Sequence, residues 1–422
     1  MNPVPHVGAS EKAGPCCRSC GAALTRTFVD LGMSPFANSY VSPARLRAPE
    51  MFYPLHVYVC ERCLLVQLEQ FETPDTIFTD YAYFSSYSEI WLEHARRYVE
   101  HMIERFGMDA TTPVVELASN DGYLLQYFQA RGVPVLGVEP AANVAQVAIE
   151  RGIPTEVRFF GRATAAELAA RGVRPQLLLG NNVLAHVPDL NDFVAGMKTL
   201  LAPGGVITME FPHLMRLMAE NQFDTIYHEH FSYFSFLCVE QIFARHGLVL
   251  FDVEELRSQG GSLRIYARHT EDEAIPVEAR VPELRARERA DGFDRLERYL
   301  SFGEQVPRTK LALLEFMLGA KKAGQSVVAY GAAAKGNTLL NYCGIGRDFL
   351  DYVADRSPHK QGLFLPGTHV PIVHPDRVRE TRPDIMLILA WNLKAEVMSQ
   401  MAHIREWGGR FVVPIPAVEI CE

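Results

Sequence analysis

Residues 114–140 read VVELASNDGYLLQYFQARGVPVLGVEP, and their alternation of apolar runs with small residues decides the fold class. Val114 to Leu117 is a four-residue apolar strand that stops at Ala118-Ser119-Asn120-Asp121-Gly122, a turn-forming string. Tyr123 to Ala130 reads as the helix that follows, and Val135 to Glu139 as a second strand closing on a carboxylate. Working outward, Asn143 to Arg151 is a second helix, and Gln176 to Gly180 and Gly205 to Glu210 are further strands. This strand–helix order predicts an α/β domain over roughly residues 107–270, a parallel sheet with helices on both faces.

A second αβ pattern closes the chain. Ser326 to Tyr330 runs into Gly331-Ala332-Ala333-Ala334-Lys335-Gly336, and Phe349 to Asp355 and Asp384 to Ala390 follow as strands. The two blocks share an outline: a strand, a small-residue turn, then an acidic residue ending the next strand. Between them Glu278 to Ala323 is charged and helical, a connector that packs one apolar stripe. Upstream, Ser88 to Phe106 is an amphipathic helix, with Ile90, Trp91, Ala95, Tyr98, Val99, Met102 and Ile103 at helical spacing. Before Tyr87 the chain has paired cysteines, Pro and Gly punctuation, and short β-leaning runs such as Phe52 to Val59.

The 422 residues, 48% hydrophobic and 22% charged, have the composition of a soluble globular chain of two or three domains. A net charge of −9 weighs against a nucleic-acid or membrane-surface binder, since those depend on clustered Lys and Arg. The N-terminal stretch lacks a basic start followed by an apolar segment. The densest apolar run, Ile385 to Trp391, falls far short of the roughly 20 residues a membrane span requires. A cytoplasmic location is the expectation.

Five of the eight cysteines fall between Cys16 and Cys63. Cys17-x-x-Cys20 and Cys60-x-x-Cys63 supply the four thiolates of a tetrahedral structural zinc site, with no open position for substrate. Cys16 adjoins the first pair, but the spacing favours Cys17. Glu116 to Gly122 sits where a nucleotide-binding sheet places its first strand-to-helix turn, and Glu139 falls about 20 residues further on, where a carboxylate accepts ribose hydroxyls. The turn lacks G-x-G-x-x-G, which favours S-adenosylmethionine over a dinucleotide. Asn181 and Asn182 end a later strand and would line the same crevice, unless they merely cap a turn. Tyr227-His228-Glu229-His230 places four polar side chains in succession, and some must face a cleft. A histidine there suits a general base. Neither H-E-x-x-H nor a third ligand follows, which argues against a catalytic metal. The aromatic run Tyr81-Ala82-Tyr83 offers phenols just upstream, Lys335 sits at a helix start, and Lys360 lies in a loop after Asp355.

Taken together, the paired knuckles, ELASNDG, GVEPA, NNVLAHVPD, IYHEHFSYFS, YGAAAKGNTLLNYCGI and DRSPHKQGLFLPGTHVPI resemble the bacterial S-adenosylmethionine-dependent sugar C-methyltransferases over nearly the whole chain. The resemblance implies a zinc-binding N-terminal domain (1–87), a Rossmann-like methyltransferase domain (88–270), and a connector with a C-terminal αβ domain (271–422) that helps bind the substrate. That substrate would be a nucleotide-linked 4-keto-6-deoxysugar, methylated at C3 or, alternatively, at C5. Tyr227 and His230 would be the acid/base residues, Glu229 would support His230, and Tyr81 or Tyr83 would assist at the ketone. Cofactor contacts would come from Ser86, Glu116, Ala118, Asn120, Asp121, Gly122, Glu139, Pro140, Asn181 and Asn182. Lys335, Asn337, Lys360 and His228 would contact substrate, although His228 replaces an Asp found in some members. The protein would act as a monomer or small homo-oligomer. A zinc-ribbon nucleic-acid methyltransferase would share the knuckles and central domain but should carry a basic stripe, which this acidic chain does not suggest.

Overall fold

The computed structural model describes residues 14–73 and 84–421. Along the chain, β1 (Arg26–Ser34), β2 (Tyr53–Val59) and β3 (Val66–Leu68) precede a long helix, Glu89–Phe106. Strands β4 (Val114–Leu117), β5 (Val135–Val138), β6 (Thr155–Glu156), β7 (Leu177–Asn181) and β8 (Val206–Pro212) then alternate with helices. A short β9 (Ser232–Tyr233) leads through the helix Phe236–Arg245 into β10 (Leu248–Leu256) and β11 (Ser262–His269). The last block holds β12 (Val327–Tyr330), β13 (Val353–Ala354), β14 (Ile372–Val373), β15 (Ile385–Ile388), β16 (Arg410–Val413) and β17 (Glu419–Cys421).

These strands form three sheets, ordered β1-β2-β3-β9, β10-β11-β8-β7-β4-β5-β6 and β14-β13-β12-β15-β16-β17. In the central sheet β4 to β8 are parallel, and the inner strands β4, β7 and β8 are buried on both faces and mostly apolar, whereas β6 at the edge is polar and half-buried. The sheet is mixed, not wholly parallel: β11 runs antiparallel to β8, and β10 antiparallel to β11. Only the short turn around Ser258–Gly260 joins β10 to β11, too little chain for the crossover a parallel pair demands. The third sheet repeats the parallel pattern, with β17 antiparallel at its edge.

The connector is not one helix. It breaks into Arg280–Ala290, Leu296–Leu300 and Phe302–Lys322, with Gly292 at φ +90 ending the first. Val281 and Leu284 of the first piece join the core of the central sheet, whereas Phe302, Val306 and Leu313 of the last join the C-terminal core. The N-terminal region is divided in the same way. Phe28, Leu55 and Val57 share the C-terminal core, while Cys17, Cys60, Cys63 and Leu65 pack against the central one. No helix among the described residues is long and apolar enough to cross a membrane.

Candidate active site

The turn after β4 is built for close approach. Ala118, Asn120 and Gly122 all hold left-handed backbone, at φ 55, 51 and 77. A Cβ at position 122 would collide with the Ile153 side chain, so only glycine suits both the conformation and the space. The turn aims the Asn120 N–H at Glu139 Oε2 (2.9 Å), while Ala141 N–H reaches Oε1 (2.8 Å). Burial pushes the Glu139 carboxyl up to about 7, against the two N–H bonds that favour its charge. Ala118, Asn120, Glu139 and Pro140 form one wall of a cleft of about 530 Å³.

Asn181 and Asn182 continue that wall at the carboxyl end of β7, with Asn182 also left-handed at φ 55. Asn181 Nδ2 and Asn182 Oδ1 are buried and lack a hydrogen-bond partner. Orphaned polar atoms of this kind are rare in folded proteins, and lining a cleft they suit a polar ligand. With a carboxylate at the end of β5, the donor set fits S-adenosylmethionine.

Three other expected cofactor residues, and Ser86, lie behind this wall. Asp121 Oδ2 accepts from the Ser86 N–H (3.3 Å) and from the Ser86 hydroxyl, so Ser86 and Asp121 tie the entry of the long helix to the turn. Ser85, whose N–H donates to Asn120 Oδ1 (2.9 Å), lines the cleft instead. Gly122 packs on Ile153. Glu116 is wholly buried in β4, and burial raises its carboxyl well above the usual range, helped by Glu139 and Asp121.

The polar run 227–230 splits between two faces. Tyr227 and His230 are half-buried and line the cleft, their rings 3.9 Å apart. The His230 Nδ1–H donates to the Thr225 carbonyl (2.9 Å), leaving Nε2 as the basic nitrogen. Burial and the neighbouring His186, whose ring lies 4.6 Å away, hold His230 well below its ordinary pKa, hence neutral. Glu229 also faces the cleft but does not orient His230. Asn38 Nδ2 donates to both its oxygens, at 2.9 and 2.7 Å, because adjacent side chains of this turn diverge and the backbone carbonyl of Thr225 takes the role expected of the carboxylate. His228 turns away from the cleft altogether. It is 3% exposed among Phe36, Tyr53 and Phe71, beside the Pro54 carbonyl (3.2 Å), and burial lowers its pKa to about 4.

The C-terminal domain supplies the facing wall through Ala333, Ala334, Lys335 and Lys360. Lys335 Nζ donates to Asn392 Oδ1 (2.7 Å) above the Trp391 ring, and Lys360 Nζ to the Ala332 carbonyl (2.8 Å). Asn337 is buried rather than open to the cleft. Its Nδ2 donates to the Ala37 carbonyl at 2.5 Å, a strut between the C-terminal helix and the N-terminal segment. Tyr81 and Tyr83 lie outside the described residues. Asn38 and Asn392 escaped the sequence reading because no motif surrounds them, and Thr225, just ahead of Tyr227-His228-Glu229-His230, because it acts through its backbone carbonyl; only folding brings Asn38 to the cleft and Asn392 to Lys335.

Away from the cleft, the Sγ atoms of Cys17, Cys20, Cys60 and Cys63 lie within 4.8 Å of one another. Cys17–Cys63 and Cys20–Cys60 are each 3.5 Å apart, close to the roughly 3.8 Å expected around tetrahedral zinc. Gln67 Nε2 donates to Cys17 Sγ at 3.1 Å, as a donor to a thiolate would. The four cysteines fit structural zinc, and exposed Cys16 stands outside the cluster.

Comparison with known proteins agrees with this architecture. Residues 17–78 match the model of a zinc binding domain, 91–253 that of a methyltransferase domain, and 257–416 that of a C-methyltransferase C-terminal domain. C-methyltransferase NovU of Streptomyces niveus is 37% identical over 402 residues, 95% of each chain. Among solved structures, an S-adenosylmethionine-dependent methyltransferase from Mesorhizobium loti is 14% identical, covering 37% of this chain and 90% of its own, with a TM-score of 0.30. Magnesium protoporphyrin IX methyltransferase of Synechocystis PCC 6803 with bound SAM is also 14% identical, covering 46% and 88%, with a TM-score of 0.32. Overlaps this partial add nothing to the sheet order.

Proposed function

Because the chain belongs to the S-adenosylmethionine-dependent C-methyltransferases, with their zinc-binding, methyltransferase and C-terminal domains in order, we propose that it methylates C3 of a dTDP-linked 4-keto-6-deoxysugar. In this reading residues 1–87 carry the zinc, 88–270 the cofactor, and 271–422 help hold the nucleotide sugar.

Methylation at carbon requires a carbon nucleophile, and a ketone at C4 provides one by acidifying the neighbouring C–H. The observation that carries the reading is His230, neutral and half-buried in the cleft, with Nδ1–H committed to the Thr225 carbonyl and Nε2 left as a base. It takes the proton from C3. The Tyr227 phenol, on a ring 3.9 Å from that of His230, donates to the developing enolate oxygen. Glu139, Asn120, Pro140 and the Asn181–Asn182 pair hold S-adenosylmethionine, which when bound supplies an electrophilic methyl group. Lys335 and Lys360 face them as the cationic side of the substrate site.

The test offers the protein dTDP-4-keto-6-deoxyglucose and its 3-amino and 2-deoxy analogues, with methyl-labelled S-adenosylmethionine, in deuterated water. NMR should find the label on C3. His230→Ala and Tyr227→Phe should abolish turnover while cofactor affinity survives. Label on C5, on oxygen, or on no sugar carbon refutes the proposal.

A further inference from the structure

Resting on the sugar reading above, we propose that Lys335 is a catalytic residue whose ammonium holds the ketone oxygen at C4 as it becomes the enolate, across the cleft from the base His230. The position follows from one short turn. Residues 223–225 form a 3-10 turn that packs against the helix Ala334–Cys343, with Thr338 Oγ1 donating to the Ile226 carbonyl at 2.9 Å. Thr225, at the end of the turn, fixes His230 through its carbonyl. Asp224, one residue earlier, is buried beyond the Trp391 ring on which Lys335 Nζ rests, and its charge favours the ammonium. One turn thus reaches both groups: Thr225 holds the base directly, Asp224 holds the Trp391 ring beneath the ammonium, and the lysine's charge weakens His230 as a base.

The surroundings of Lys335 hold it still without using it up. Asn392 Oδ1 accepts one of its three N–H bonds, and the Trp391 ring lies beneath Nζ at 4.7 Å. Trp391 is itself fixed by its Nε1–H donating to Asp224 Oδ2 (2.7 Å), while Asp224 Oδ1 is buried without a hydrogen-bond partner. Burial lowers the Lys335 ammonium to about 8, so it enters the reaction short of solvation and gains from negative charge brought within reach. Lys360 stands apart, with Nζ on the Ala332 carbonyl and over the Tyr40 ring, and is the cation left for the diphosphate.

In the first step the C–H bond beside the ketone breaks, its proton passes to His230 Nε2, and the electron pair moves through the new C=C bond onto O4, where Lys335 meets it as a second donor beside the Tyr227 hydroxyl. In the second the pair returns. A carbon–methyl bond forms, the sulfur–methyl bond breaks with its pair staying on sulfur, and O4 becomes a carbonyl oxygen again. Enolisation at C3 and at C5 places charge on the same oxygen, so the role of Lys335 holds for either position.

Washout of ring protons into deuterated water, measured by NMR with dTDP-4-keto-6-deoxyglucose and no cofactor, reads the first step alone. Lys335→Met should slow it about 100-fold or more at saturating sugar, the scale of losing an oxyanion donor. Affinities for dTDP and S-adenosylmethionine, by titration calorimetry, should stay near wild type. Lys335→Arg should recover part of the rate. Washout at the wild-type rate with dTDP affinity alone reduced would make Lys335 a diphosphate ligand and overturn the proposal. Should Lys335→Met lose cofactor binding through misfolding, Asn392→Ala decides: slower washout with dTDP affinity kept supports it, and unchanged washout overturns it. Wild-type protein that exchanges neither C3 nor C5 protons would remove the sugar reading itself, and this role with it.

Discussion

Asn38 and Glu229 are 191 positions apart, yet hydrogen bonds from Asn38, with the charge of Lys360, only partly offset burial of the carboxyl, which burial pushes up to about 7 from an ordinary 4.5. Between those values the folded protein holds a proton that the unfolded chain has released, so the stability tied to this group is full below the unfolded value. It falls as pH rises, until the folded pKa is passed. Glu229→Gln should therefore melt at higher temperature than wild type near pH 8.5 and lose that advantage near pH 4, a difference of roughly 3 kcal/mol at one pKa unit per 1.36 kcal/mol. Calorimetry at both pH values checks this; an equal advantage at the two would refute it. Sequence reading recognises that Tyr227-His228-Glu229-His230 cannot all be core. It cannot tell that His228 belongs to an aromatic nest and His230 to the cleft, because that depends on which surfaces the turn meets.

A helix also depends on groups from elsewhere in the chain. Phe236–Arg245 begins at Ser235, whose Oγ accepts from Cys238 N–H, but the N–H groups of Phe236 and Leu237 are taken by Glu288 of the connector, at 2.7 and 2.9 Å. The same carboxylate accepts from His213 Nε2 (2.7 Å) and has no exposed surface. Glu288→Ala would leave two helix-terminal donors and an imidazole buried and unpaired, costing about 3–5 kcal/mol and visibly lowering the urea midpoint. Glu288→Gln should cost less, since its amide oxygen still accepts; equal midpoints for both variants and wild type would contradict the capping role. Helical periodicity is legible across this connector, but the use of one Glu among its many charges is not, since nothing local separates Glu288 from Glu283 or Glu297.

Across the whole molecule, the N-terminal sheet is joined to distant segments on two sides. Its β3 pairs with β9, placing Ser232 opposite Gln67 just two residues beyond His230, and Phe28 stacks on Phe302 with ring centroids 4.7 Å apart. Phe302→Ala opens a cavity in a core shared by Leu55, Val57 and Val327, at a cost of roughly 3–5 kcal/mol. Amide hydrogen exchange should then quicken in β2 and β12 together; acceleration confined to β12 would show that the two regions are stabilised separately. The amino-acid sequence by itself determined the four-cysteine cluster, the small-residue turn after β4 and the repeated strand–turn–helix order, because cysteine spacing, turn-forming residues and apolar periodicity act within a few residues of chain. Only the tertiary structure decided that Asn38, His230 and Lys335, from three separate regions, share one cleft, and that β11 runs against its neighbours in the central sheet. Those outcomes follow from burying apolar faces and satisfying buried polar groups across hundreds of residues, a constraint that no short window of sequence contains.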